Sequence, residues 1–114
     1  MQQVVISGTG VFTPPYAISN DELVASFNAY VELYNAENAD SIAAGTVEAK
    51  APSSSAFITA ASGIESRYVM DKEGVLDPTR MCPRYAPRAD DALSMMAEMA
   101  LDAATKALDM AGVA

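Results

Sequence analysis

The hydrophobic pattern changes character several times along the chain, and each change predicts an element. Val4 to Ile6 is a short β-branched run that reads as a buried strand. Gly8-Thr9-Gly10 and Val11-Phe12 follow, and Pro14-Pro15 ends any regular element there. Leu23, Phe27, Tyr30 and Tyr34 then recur at spacings of four, three and four, which places them on one helical face expected to pack inward. That helix has a complete start. Ser19 is the N-cap, Glu22 closes a capping box, and Ile18 and Leu23 flank the cap as a hydrophobic staple. Asp21 and Glu22 lie in the first turn, where the helix dipole favours negative charge.

From Asn35 to Ser55 the pattern loosens into alanines and small polar residues, broken by Gly45 and Pro52. A short helix near Ala39 to Ala44 and then a loop are expected. Ser53-Ser54-Ser55 can cap another short helix through Ala61, stopped by Ser62-Gly63. Ile64 to Met70 alternates as a strand does, and Asp71 to Gly74 reads as a turn. Asp77 to Pro87 holds three prolines and predicts a surface loop. Asp90 can cap a last helix running to Ala111, with Gly112 just past its end. Leu93, Met96, Ala100, Ala104, Ala107, Leu108 and Ala111 form its apolar stripe, and the alanines would let a neighbour approach closely. No internal repeat interrupts this order.

Composition narrows the classes. Hydrophobic residues make up 51% of the 114, which is globular and not disordered. No run of about 18 apolar residues exists, so no membrane span is expected. Met1 to Ile6 lacks the basic and apolar regions of a secretory leader, and one cysteine makes no internal disulfide; a cytoplasmic address fits. The net charge of −8 argues against nucleic acid as a partner. Arg67 to Arg88 departs from it, with five basic and three acidic residues, a net of +2 that leaves −10 elsewhere. Such a stretch is either a solvated, charge-mixed loop or a place where an anion is met. Histidine is absent, which removes the commonest general acid/base and metal ligand, and no metal site is expected.

Three motifs invite chemistry. Gly8-Thr9-Gly10 begins a dinucleotide fingerprint, but Thr13 stands where the third glycine belongs and Pro14-Pro15 where a helix should start. Close backbone packing is the better reading. Cys82 is the single thiol, without a histidine to activate it, and reads as incidental. Asp40-Ser41-Ile42 is similar to the Asp-Ser-Leu site at which carrier proteins take a phosphopantetheine arm, so a carrier modified at Ser41 is one alternative function. A small interaction domain needing a partner to cover its alanine-rich helix is another.

Four segments, in order, resemble condensing enzymes of the β-ketoacyl-[acyl-carrier-protein] synthase III type. Val5-Ile6-Ser7-Gly8-Thr9-Gly10-Val11-Phe12-Thr13-Pro14 looks like the family's opening strand and its exit. Ser19-Asn20-Asp21-Glu22-Leu23 is similar to its Asn-x-x-Leu helix start, and Ser62-Gly63-Ile64-Glu65-Ser66-Arg67-Tyr68 to its Thr-Gly-Ile-x-x-Arg segment. Ala103 to Val113 matches an alanine-rich helix closing on Ala-Gly-Val. Residues 35–55 and 77–87 look like expanded loops.

The resemblance implies an α/β fold, the N-terminal part of a thiolase-like layered α-β-α-β-α architecture, with the rest of a homodimeric enzyme outside this chain. It implies an acyltransferase that joins an acyl-CoA primer to malonyl-[acyl-carrier-protein] in fatty-acid or related acyl-chain synthesis. CoA and carrier-protein thioesters are its substrates, and no separate cofactor is implied. The family's catalytic cysteine, histidine and asparagine lie downstream of the last helix, so no catalytic residue is expected in this chain, which alone should be inactive. Phe57 falls where the family has a tryptophan that stacks on the adenine of CoA, and Ala61 where it has an arginine. Phe57 therefore carries two readings: a CoA-binding aromatic, or a core side chain at helical spacing from Ala61 and Ile64.

Overall fold

The structure is a computed structural model that describes residues 1–113. It divides the chain into two units, Pro14–Tyr85 on one hand and Met1–Thr13 with the residues from Ala86 onward on the other.

In the Pro14–Tyr85 unit, β1 (Tyr16–Ser19) runs directly into α1 (Asn20–Glu37), followed by α2 (Ala39–Ala43), α3 (Ser55–Ser62), β2 (Ser66–Val69) and α4 (Lys72–Leu76). The strands pair antiparallel, Tyr16 opposite Val69 and Ser19 opposite Ser66. Two strands alone are marginal; here α1 continues the first, and α3 and α4 both pack on α1. The register sets Ile18 opposite Arg67, and Ile18 is 0% exposed. Its burial contributes about 1.5–3 kcal/mol. The other buried apolar side chain among the described residues is Val31 of α1.

The capping box forms as expected. Glu22 N donates to Ser19 Oγ at 3.2 Å, and Ser19 N donates to Glu22 Oε2 at 3.0 Å. The inward face of α1 departs from expectation. Asn20, Ser26 and Val31 are buried, whereas Leu23, Phe27, Tyr30 and Tyr34 are only half-buried. The Tyr30–Tyr34 end of that row is covered by the segment that leads into α3. Lys50 of this segment stands 4.5 Å from the Tyr34 ring centre and 5.7 Å from that of Tyr30. Asp71 to Gly74 is more than a turn: Asp71 caps α4 by accepting from Gly74 N at 3.0 Å.

In the other unit, Val4 to Ile6 does not form the expected strand and is exposed. A strand needs a neighbour for its backbone groups, and among the described residues this unit holds no other strand to supply one. Gly8 and Gly10 instead lie against α5 (Met95–Ala111). α5 starts later than the Asp90 cap would place it. Ser94 is the cap, accepting from Ala97 N at 3.2 Å, and Asp90 sits in a preceding turn. Arg88 holds that approach by donating to the Leu93 carbonyl at 2.8 Å while pairing with Glu98 at 2.7 Å. The alanine stripe is real but rotated. Ala103, Ala107 and Ala111 meet the glycine segment, whereas Met96, Ala100, Ala104 and Leu108 are exposed.

Candidate functional site

The side chains that could meet a ligand in Pro14–Tyr85 gather on α3 and the segments beside it. Ser54 caps α3 by accepting from Phe57 N at 3.1 Å, and Gly63 ends it at φ 70°, in the left-handed region. Phe57 is 66% exposed, so within these residues it is not part of the core. Helical spacing from Ala61 put it on a face; the structure turns that face outward and leaves neighbouring Ile58 to point toward α1, where it lines a cavity.

The first two residues of α1 hold α3 in place. Asp21 accepts a hydrogen bond from Ser55 Oγ. Asn20, 5% exposed, uses all of its polar groups. Its backbone N donates to the Glu65 carbonyl at 3.1 Å. Its Nδ2 donates to Thr59 Oγ1 at 3.1 Å and to the Ile64 carbonyl at 2.7 Å. Its Oδ1 accepts from Arg67 Nη2 at 2.6 Å. One amide thus joins α1, α3, the turn after α3 and β2. The Nη1 of Arg67 is buried with no hydrogen-bond partner among the described residues, so this cation is held by a neutral amide. The sequence marked Asn20 only as part of a helix start; its partners lie 39 to 47 positions away, and no local pattern announces them.

Beneath α3 lies a cavity of about 260 Å³ lined by Leu23, Val24, Phe27, Ser53, Ile58 and Met81. The backbone of its one polar residue is satisfied by α1: Ser53 N donates to Asn28 Oδ1 at 2.8 Å, and Asn28 Nδ2 donates to the Ser53 carbonyl at 3.1 Å. Asn35 holds Lys50 in the same reciprocal way, both bonds 2.9 Å. The cavity is therefore hydrocarbon in character. Met81 reaches it from a backbone at φ 47°, a conformation costing an unbranched residue about 1 kcal/mol.

The Asp77–Pro87 loop is stapled where it leaves α4. Asp71 accepts from Arg84 N at 2.5 Å, and Asp77 accepts from Thr79 N at 2.9 Å and pairs with Arg84 at 2.8 Å. Backbone N–H donors from Gly74 and Arg84 hold the Asp71 carboxyl below its ordinary pKa, and hydrogen bonds from Thr79 do the same for Asp77. Gly74 permits the crossing, since a β-carbon there would stand 2.7 Å from the Cys82 carbonyl. An open cleft of about 1060 Å³ is edged by Tyr16, Lys72, Asp77 and Arg84.

Lys72 pairs with Glu22 at 2.6 Å. With Arg84 on Asp77 and Arg88 on Glu98, most of the basic surplus between Arg67 and Arg88 is spent on local carboxylates, as a charge-mixed surface requires. Cys82 is exposed, and Arg80 Nε donates to its Sγ at 3.1 Å. Among the described residues no cluster of His, Cys, Asp and Glu is suited to a metal ion, and no helix is long and apolar enough to cross a membrane. Ser41 sits in the five-residue α2, and its carbonyl accepts from Thr46 N and Val47 N in the turn that follows. The long helix that the carrier reading needs after this serine is not there.

No family model matches the chain. It is 55% identical over 87 residues to the beta-ketodecanoyl-[acyl-carrier-protein] synthase of Pseudomonas aeruginosa. The match covers 76% of this chain and 25% of the relative, so the chain spans about a quarter of the relative's length. The resemblance to β-ketoacyl-[acyl-carrier-protein] synthases, drawn above from four short segments, is borne out by this match.

Proposed function

We propose that the chain is part of a condensing acyltransferase of fatty-acid or related acyl-chain synthesis, folded in the thiolase-like manner. The observation that carries this reading is the 55% identity to a β-ketoacyl synthase across three quarters of the chain. The reaction moves the acyl group of an acyl-CoA to the enzyme with release of CoA. Malonyl-carrier protein then loses carbon dioxide, and the carbanion so formed attacks the acyl thioester to make the new carbon–carbon bond. A β-ketodecanoyl product, as the relative's name states, would by carbon balance come from an eight-carbon primer. We extend that medium-chain preference to this protein.

The role of this chain is to supply part of the surface that meets acyl-CoA. Phe57, exposed on a helix held at its first residue and again at Thr59 in its middle, offers an aromatic face to the adenine ring. The chemical step needs side chains this sequence lacks, histidine first, so the 114 residues alone should not turn over. The test is condensation of octanoyl-CoA with malonyl-carrier protein. The complete polypeptide carrying this chain should form the β-keto product; turnover by the isolated 114 residues, or none by the complete polypeptide with any acyl-CoA, would overturn the proposal.

A further inference from the structure

We infer that Asn20 is a positioning residue for acyl-CoA, acting through α3 on Phe57; this rests on the reading of Phe57 proposed above. α3 is eight residues long, too short to be stable on its own, so its orientation must come from outside it. Its side-chain ties to α1 are the Asn20–Thr59 bond at 3.1 Å and the Ser55–Asp21 bond, and Asn20 also fixes the Ile64 carbonyl just past its end. Thr59 stands two positions from Phe57, so rotation of α3 about its axis would break the Thr59 bond and swing the ring together. The aim of an exposed ring is thus set by an amide that is itself buried.

The two functions of that amide can be separated. In Asn20→Asp, a carboxylate still accepts from Arg67, now as a charge pair, but it cannot donate to the Ile64 carbonyl and repels it. Arg67 keeps its partner while α3 loses one of its holds. Thr59→Val is the milder change. It replaces an exposed threonine with a side chain of nearly the same shape and removes only the α3 arm, leaving the Ile64 and Arg67 arms of Asn20 in place.

The experiment measures KM and kcat of the complete polypeptide with octanoyl-CoA and with octanoyl-pantetheine, which lacks the adenine nucleotide. For octanoyl-CoA, KM should rise about tenfold in Asn20→Asp and about threefold in Thr59→Val, with kcat and the KM for malonyl-carrier protein unchanged. With octanoyl-pantetheine both penalties should vanish, because there is no adenine to stack. A purely structural defect would burden the two thioesters alike, and that result overturns the inference. Phe57→Ala separates the two levels. If it raises the KM for octanoyl-CoA while both amide-arm variants leave it unmoved, positioning by Asn20 is wrong and the role of Phe57 stands. If Phe57→Ala has no effect, both fall.

Discussion

Gly10 and Asn20 hold their surroundings by opposite means. Gly10 does so by having nothing: a β-carbon there would land on the Ala103 carbonyl and stand 2.8 Å from Ala107 N of α5. Asn20 does so by having every group engaged, with donors and acceptor spread over α3, the turn after it and β2. The first contact is steric and tolerates no added atom. The second is polar and tolerates no missing one. Position-by-position sensitivity should therefore run in opposite directions in the two units.

The largest expected effect tests the polar side. Asn20→Ala leaves the Ile64 carbonyl and the Arg67 guanidinium without their partner in a part-buried place, at a cost of about 3 kcal/mol. Urea unfolding followed by circular dichroism should show it as a lowered midpoint, and an unmoved midpoint would mean that water replaces the amide. Gly10→Ala comes next, at about 2 kcal/mol for overpacking against backbone. Hydrogen exchange should report it as faster exchange in residues 7–12 and α5, with α1 unaffected. Ser19→Ala removes the cap of α1 and should cost about 1 kcal/mol, readable as a lower melting temperature.

Glu22 yields a pH test. Hydrogen bonds from Lys72 and from the Ser19 backbone lower its folded pKa. A carboxyl with a depressed folded pKa contributes stability that is present above its unfolded pKa and lost as pH falls through the folded one. Acid should therefore lower the unfolding midpoint of the wild type below the ordinary glutamate range, and Glu22→Gln should flatten that limb. The smallest effect belongs to Lys106→Ala, which breaks an exposed pair with Asp102 and should cost under about 0.5 kcal/mol. A larger loss would show that its second bond, to the Val11 carbonyl at 3.3 Å, helps to hold the glycine segment.

The same contrast explains what was readable beforehand. The Ser19–Glu22 box, the Ser54 cap of α3 and the Gly63 stop are local, each closed within a few residues, and the chain shows them directly. β1 was missed because its partner strand begins 47 residues beyond Ser19 and its four residues carry little pattern. Val4 to Ile6 drew a strand assignment by composition, which says nothing of whether a neighbour exists to complete a ladder. Ser94 and Asp90 are both good caps, and the choice between them was settled by Arg88 reaching over to Leu93 and Glu98. Alanine spacing gave the period of α5 but not which side faces the glycines. Of the candidate site, Phe57 was legible as an aromatic on a short helix. Its outward aim was not, because that depends on Thr59 finding Asn20. The positive φ of Met81 leaves no trace in residue type at all.

The glycine contact also works as a vernier. Gly8 sits over Ala107 and Ala111, and Gly10 over Ala103 and Ala107, so the segment runs against the direction of the helix. Two extended residues advance roughly 6.6 Å, and four helical residues about 6.0 Å. The two rulers nearly agree over one step and drift apart over several. Displaced by one notch, the segment would bring Thr9 or Val11 onto the helix backbone, so sliding is forbidden in steps and α5 reads the segment's position with no hydrogen bond between their backbones among the described residues.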